Sequence, residues 1–316
     1  MKRSAKIITL ISSLCVALTL THCQKTEMKT KKHPLVFLTD FGLKERFVAS
    51  MKGVALSVDP ALQLYDLTHL IEPFNIWEAS FTLSGTLEYW PEGTVFVSVV
   101  DPGVGTARKS VVAKTNSGHF IVTPDNGTLT LVADKFGISE VRQIDERVNR
   151  RPGSEASHTF HGRDVYAYTG ARLAAGVISF EQVGPILSDE IIHLSIQHAQ
   201  KVTDHTIVGS IIHIEDPFGN IVTNIPKTLF DEFGLEPANR PAVMVEITQK
   251  GKRVFKESLP VVNSFGDVTK GGALIYADSE QNMGLAVNSG NFAEKFRIHS
   301  GPGWNITINQ SKNKNR

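Results

Sequence analysis

Carboxylate, guanidinium and imidazole groups stand at several places where an apolar run gives way to glycine, which is where a sheet presents reactive side chains. In LTDFG, Asp40 sits where a strand passes into a glycine turn, and Glu45 follows ahead of the next helix. Two carboxylates so placed accept hydrogen bonds from a vicinal diol such as a ribose. The plainer alternative has Asp40 capping a turn and Glu45 favouring a helix N-terminus. In VVDPGVGTARKS, Asp101 ends a strand and Arg108 lies beyond a glycine-rich turn, so the two can meet as an ion pair. The spacing is neither GxGxxG nor a P-loop, which removes the usual phosphate cradles. His161 in TFHGRD precedes a helix with Arg163 and Asp164 beside it, and suits an acid/base, water-positioning or purely structural role. As metal ligands, His158 and His161 find no complementary cluster at ligand spacing, so the expectation is no metal.

Two later segments have binding rather than reactive chemistry. EDPFGNIVTNI presents Phe218 and Asn220 on a tight turn between strands, an aromatic face and a carboxamide that suit a purine ring as readily as an ordinary β-turn. LAVNSGNF is a strand followed by Asn288 and Ser289, in a turn whose backbone amides either read a base edge or close a hairpin.

The elements that must hold these groups follow from periodicity. Leu35 to Leu38, Leu62 to Tyr65 and Val95 to Val100 read as strands, separated by helical spacing at Phe47, Met51, Val54 and Ala55 and again from Ile76 to Leu87. That alternation implies an α/β unit with a mostly parallel sheet, whose ligands lie beyond the strand ends occupied by Asp40 and Asp101. Asn116-Ser117-Gly118 reads as a hairpin, and Asp164 to Ala175 as a helix closed by Gly176. Runs at Ile207 to Ile214, Ile221 to Ile225, Ala242 to Thr248 and Ala273 to Tyr276, with a short helix near Leu229 to Phe233, point to a small all-β barrel or sandwich. The expected organisation is therefore an α/β domain over 34–190, a linker over 191–203, a β domain over 204–310 and a disordered tail over 311–316.

The 316 residues are 41% hydrophobic and 21% charged, with a formal net charge of +1, enough apolar material for two cores and too little positive field to hold a nucleic acid. Lys2, Arg3 and Lys6 precede an apolar run, Ile7 to Leu20, too short to span a bilayer, so residues 1–23 read as an export signal and 24–33 as a polar tether. The expected location is the cell envelope. Both cysteines, Cys15 and Cys23, fall in that segment, which leaves the body without thiol chemistry. Leu20-Thr21-His22-Cys23 is similar to a lipoprotein processing site, with Cys23 as the lipidated residue and membrane attachment through the lipid; His22 departs from the small residue usual there.

LTDFG, MKGV, IEPFNIWEA, FVSVVDPGVGT, TPDNGTLT, TFHGRDVYA, DPFGNIVTNI and AVNSGN, in this order, resemble the S-adenosylmethionine hydroxide adenosyltransferases, a family related to the fluorinases and chlorinases. The resemblance spans Leu35 to Ile308. It implies an α/β N-terminal domain, a barrel-like C-terminal domain, and a homotrimer with sites between the first domain of one subunit and the second of its neighbour. The implied activity is hydrolysis of S-adenosylmethionine to adenosine and methionine, without metal or cofactor. Asp101, Arg108 and His161 correspond to the water-handling set, Asp40 to a nucleoside contact and Phe74 to an aromatic beside the ribose. Phe218, Asn220, Asn288 and Ser289 correspond to the adenine pocket, and Ser279, with either Glu215 or Asp216, to the methionine end. Glu45 stands where the pattern usually has a ribose-binding Asp, one methylene shorter, and Asn75 where an Asp is usual. Two rivals remain at this stage: a halogenase on the same fold, and a non-catalytic nucleoside-binding envelope lipoprotein.

Overall fold

The computed structural model describes residues 32–235, 239 and 241–310. The expected export segment with Cys15 and Cys23, the expected tether up to residue 31 and the expected tail 311–316 lie outside the described residues.

The N-terminal sheet contains β1 (Leu35–Thr39), β2 (Leu64–Thr68), β3 (Val95–Val99), β4 (Ser110–Thr115), β5 (Phe120–Pro124) and β6 (Ile138–Gln143), in the order β2-β1-β3-β5-β4-β6. The first four in that order run parallel, while β4 lies antiparallel to both β5 and β6. Because β1 and β3 are buried on both faces, their sequences LVFLT and VFVSV are near-continuous apolar runs, interrupted only by Thr39 and Ser98, rather than alternating ones. Alternate residues still sort by face. Leu35 and Phe37 pack with Met51 and Ala55 of α1 (Phe47–Val58). Val36 and Leu38 pack with Ala79 and Leu83 of α2 (Ile76–Ser84) and Val132 of α3 (Thr130–Phe136). A short α4 (Glu146–Asn149) precedes a π-helical turn, Gly162–Ala167, that runs into α5 (Tyr168–Ala174) beside α1.

The C-terminal sheet is antiparallel: β7 (Gln200–Thr203), β8 (Thr206–Glu215), β9 (Asn220–Pro226), β10 (Ala242–Gln249), β11 (Lys252–Pro260), β12 (Ala273–Ala277), β13 (Asn282–Val287) and β14 (Trp304–Gln310), with α6 (Lys227–Asp231) and α7 (Phe292–Phe296) between strands. Its order is β11-β10-β14-β8-β9-β13-β12, with β7 on β8. The two ends approach where Val262 N donates to Ile275 O at 3.1 Å, so the sheet is a nearly closed barrel around Ile207, Ile221, Val245, Leu285 and Ile306. Closure decides between the barrel and sandwich readings in favour of the barrel.

Where elements differ from the sequence reading, local chemistry explains the difference. β2 begins at Leu64, two residues late, because Leu62 N bonds Asp59 O in a turn and buries Leu62 before the strand starts. The short helix begins at Lys227, directly after Pro226, which is extended and lacks an N–H to continue β9. β7 falls inside the expected linker 191–203. The rest of that stretch is a strap tied at intervals: Ile192 N donates to Asp125 Oδ1 (2.9 Å), Leu194 N to Thr130 Oγ1 (2.9 Å) and Gln197 N to Ser210 Oγ (3.0 Å). From α2, Trp77 Nε1 donates to Ile212 O at 2.5 Å, and Phe81 stacks on His213 with centroids 4.2 Å apart, which fixes the first sheet's helical layer against β8.

Candidate active site

Asp101 follows β3 by two residues, so its carboxylate emerges at the carboxyl end of a central parallel strand. The strand end is pinned by Asn126 of the TPDNG segment, whose Nδ2 donates to Val100 O at 2.9 Å. Two successive turns return the chain: Val104 N bonds Asp101 O and Thr106 N bonds Gly103 O. Gly105 has φ +78°, and a Cβ there would meet His158 O at 2.9 Å, so only glycine allows the turn to lie against the loop that leads to His161. The result aims Arg108 back at Asp101. Arg108 Nε donates to Oδ1 at 2.8 Å and Nη2 to Oδ2, a bidentate pair with side chains only 9% and 5% exposed.

His161 joins this pair from another element. Its Nδ1 lies 3.1 Å from Arg108 Nη2, and Tyr166 OH lies 3.2 Å from Ser110 Oγ, which in turn accepts from Arg108 Nη1 at 3.0 Å. Residues five apart on an α-helix stand roughly 140° apart, whereas i→i+5 bonding brings them to one side. The π turn that begins at Gly162 is what lets His161 and Tyr166 address the same guanidinium. The Tyr166 ring also stands under it, 5.5 Å from Arg108 Cζ.

Burial shapes the electrostatics. It pulls Arg108 down, but the hydrogen bonds to Asp101 together with the electrostatic pull of Tyr166, Asp101 and Glu146 leave the guanidinium above its ordinary pKa. His161 is pushed below the ordinary histidine value, first by burial and then by Arg108. Tyr166, almost fully enclosed, is pushed well above its ordinary value and remains a phenol. The cluster as a whole can pair a hydrogen-bond acceptor with a neutral imidazole around one small polar molecule.

Sequence reasoning did not name Ser110, Glu146, Arg150 or Tyr166. Ser110 Oγ donates to Glu146 Oε1 at 3.4 Å, Glu146 Oε2 pairs with Arg150, and Arg150 Nη2 lies 3.3 Å from His161 Nε2. Glu146 and Arg150 read in sequence as an ordinary i,i+4 pair, which carries no sign of the histidine they face. His158 is exposed, and among the described residues no three His, Cys, Asp or Glu side chains gather to hold a metal.

At the neighbouring strand end, Asp40 Oδ2 accepts from Phe74 N at 2.9 Å, and burial raises its pKa against that bond. Phe74 has φ +70° and is 70% exposed, so Asp40 steadies an unfavourable backbone that turns an aromatic ring to the outside. Thr39 Oγ1 and Asp66 Oδ1 grip the buried His69 at 2.8 and 3.0 Å and brace the same turn. Glu45 lies exposed ahead of α1. Asn75 is the N-cap of α2, its Oδ1 accepting from Glu78 N at 3.1 Å, and its Nδ2 donates to Glu78 Oε2 at 3.3 Å, a contact that the Asp usual at this position could not make.

The remaining predicted residues meet in a second place, a cavity of about 610 Å³ on the barrel, lined among others by Glu215, Phe218, Asn220, Ser279, Asn288 and Ser289. Glu215, not the exposed Asp216, faces it, because β8 ends at Glu215 and the next residue already belongs to the turn. Gly219, with φ +69°, packs where a Cβ would strike Asn291 Oδ1 at 1.8 Å, so that turn admits only glycine. Asn220 Nδ2 donates to Glu215 Oε2 at 2.8 Å and orients the carboxylate. Phe265, Tyr276 and Asp278 also line the cavity and went unread in the sequence, since barrel closure alone brings them there. Asp278 and Tyr276 are both pushed upward by burial. Every lining residue lies between 215 and 290, so the cavity includes none of the Asp40 or Asp101 groups, and Phe218 stands 66% exposed at its edge.

Residues 35–184 match the family model of the SAM hydroxide adenosyltransferase N-terminal domain, and residues 209–305 that of the C-terminal domain. A protein of Methanocaldococcus jannaschii named (R)-S-adenosyl-L-methionine hydrolase is 41% identical over 61% of this chain and 67% of its own. One of the same name from Salinispora tropica is 33% identical over 86% of this chain and 96% of its own. A fluorinase of Nocardia brasiliensis is 29% identical over 85% and 95%.

The cavity predicts a difference between two adjacent acids. Glu215→Gln should raise KM for a cationic, amino-acid-bearing substrate by about tenfold, the worth of one charge-assisted hydrogen bond, while Asp216→Asn leaves it unchanged. Equal effects in steady-state kinetics would contradict the assignment.

Proposed function

The chain belongs to the SAM hydroxide adenosyltransferase family and hydrolyses S-adenosyl-L-methionine, and we propose that it does so by in-line attack of water on C5′, with Asp101, Arg108 and His161 handling the water. The observation that carries this reading is the buried cluster of those three side chains at the end of a parallel strand. The C5′–S bond breaks with its electron pair going to sulfur, and methionine leaves as a neutral thioether, so the leaving group needs no acid. The C5′–O bond forms as the water loses one proton. Water becomes a strong acid as its oxygen bonds to carbon, so a positioned weak base suffices, and the main demand on the protein is alignment. Asp101 accepts a hydrogen bond from the water and takes the proton it loses, and His161, held against Arg108, keeps the cluster in that arrangement. Arg108 holds Asp101 in place.

For substrate, the reading assigns Phe218, Asn220, Asn288 and Ser289 to adenine, Asp40 and Phe74 to the ribose with Glu45 near its hydroxyls, and Glu215 and Ser279 to the methionine end. Because the barrel cavity and the Asp101 cluster draw on separate residues, and Phe74 and Phe218 are both exposed, we assign the complete site to a homotrimer in which one subunit's cavity meets the next subunit's cluster. Light scattering should give three chains per particle, and an active monomer would refute the shared site. Residues 1–23 are read as an export signal to the envelope and Cys23 as a lipid attachment point; Cys23→Ala should then move the protein from the detergent to the aqueous phase, and an unchanged partition argues against lipidation.

Chromatography of the purified protein incubated with S-adenosylmethionine should show adenosine and methionine in equal amounts, whereas methylthioadenosine would sink the mechanism. Asp101→Asn, which keeps the shape of the side chain, should slow single turnover by about 10² to 10⁴ with binding retained. His161→Ala should act comparably, and the double variant should lose far less than the product of the single losses, since both act on one water. Asp101→Ala strands a buried guanidinium and should also cost about 3 kcal/mol of stability, so melting temperature must be read beside turnover.

A further inference from the structure

The His161 ring has a guanidinium at each nitrogen, Arg108 Nη2 at 3.1 Å from Nδ1 and Arg150 Nη2 at 3.3 Å from Nε2. Guanidinium groups only donate, a neutral imidazole accepts at one nitrogen, and an imidazolium accepts at neither. Each proton placed on this ring therefore turns an acceptor contact into two donors facing each other between two cations. Neither arginine is at liberty to turn away. Arg108 is locked on Asp101 and Ser110. Arg150 is paired with Glu146 Oε2 and donates through Nη1 to Ser157 O at 3.2 Å. Since Ser110 also donates to Glu146, the contacts close a ring running Arg108, Ser110, Glu146, Arg150, His161 and back to Arg108.

We propose that Arg150, held by Glu146, is a positioning residue for the hydrolysis, acting through His161 by disfavouring its imidazolium form, so that one ring nitrogen keeps accepting from a guanidinium and the ring stays fixed beside Asp101 and Arg108. This rests on the hydrolytic reading above. The charged groups around the ring are Asp101 after β3, Arg108 ahead of β4, Glu146 and Arg150 at α4, and, on its own helical turn, Arg163 and Asp164. Arg163 and Asp164 bind each other at 2.7 Å, with Arg151 3.5 Å from Asp164. The two nearest carboxylates each touch an arginine, and it is the arginines that touch the ring. In keeping with this geometry, burial and then Arg108 lower His161's pKa, Arg150 adds to the lowering, and Glu146 and Asp101 oppose it. A merely structural Arg150, tying α4 to the loop at Ser157, would leave the ring's titration alone.

The test is NMR titration of His161 in the full protein labelled with ¹⁵N-histidine, beside the pH dependence of kcat/KM. Wild-type His161 should titrate below the ordinary histidine value. In Arg150→Met its midpoint should rise by about one pH unit, which is about a tenfold loss of the neutral form at pH values below the wild-type midpoint, and the acid limb of kcat/KM should move with it. Arg150→Lys should restore part of the shift, since it keeps the charge without the fork. A wild-type ring that titrates in the ordinary range overturns the proposal even if Arg150→Met fails to fold, and so does an unmoved midpoint in a folded variant. The titration reads the ring directly, so its failure is separable from a failure of the hydrolytic assignment.

Discussion

A guanidinium withdrawn from water must have its fixed fork of N–H donors answered by the protein, and Arg108 imposes that demand on everything around it. Asp101 takes two donors, Ser110 and His161 take others, and the Tyr166 ring covers a face. Those partners come from the end of β3, the start of β4 and the π turn before α5. The pair thus ties the end of β3 to the start of β4, consecutive strands that the sheet separates by β5, and His161 brings in an element 53 residues away. It also explains why the glycine turn of residues 103–106 cannot be relaxed: a bidentate fork tolerates little displacement, and a bulkier turn would push the His158 loop and His161 away.

The same constraint bears on the choice of nucleophile. A halide about 4 Å from the Asp101 carboxylate would be repelled by roughly 4 kcal/mol at an effective dielectric of 20. Water carries donors that the carboxylate accepts and a lone pair left to aim at carbon. Arg108 does not reverse this preference by offering its charge to an anion, because its fork is already committed to Asp101. An acidic residue with a fully engaged counterion therefore selects a neutral, donor-bearing nucleophile over a small anion.

Legibility in the sequence followed the range of the interaction. The Asp101 and Arg108 pairing spans seven residues around a glycine-rich reversal, and that spacing was enough to foresee it. The strands β1 and β3 announced themselves because burial on both faces leaves a single polar residue in each, Thr39 and Ser98. His161 is 53 residues from Arg108, and only the π turn, which has no sequence signature, aims it. Glu146 and Arg150 were hidden by looking ordinary. The choice between Glu215 and Asp216 needed the end of β8, a boundary that composition leaves uncertain by more than the one residue that separates them. Asn75 was readable after all: an Asn followed three residues later by Glu at the start of a helix is a capping pattern, and the missing family acid distracted from it.

The division of labour between the two sheets follows from what each can do with polar groups. A parallel sheet covered by helices on both faces can bury a charge only at its strand ends, where the loops supply partners, so the reactive cluster is small, rigid and closed. A nearly closed antiparallel barrel has its hydrogen bonds satisfied around the wall and can open a cavity at its rim between turns, where Phe218, Phe265 and Tyr276 offer flat apolar faces and Glu215 a charge. Substrate recognition needs area and reaction needs alignment, and the two demands oppose each other in a single pocket. Separating them leaves the cavity free to be wide while the Asp101 cluster stays locked, and in the trimer proposed above the contact between the surfaces that carry them is the step that admits a water to line up with C5′.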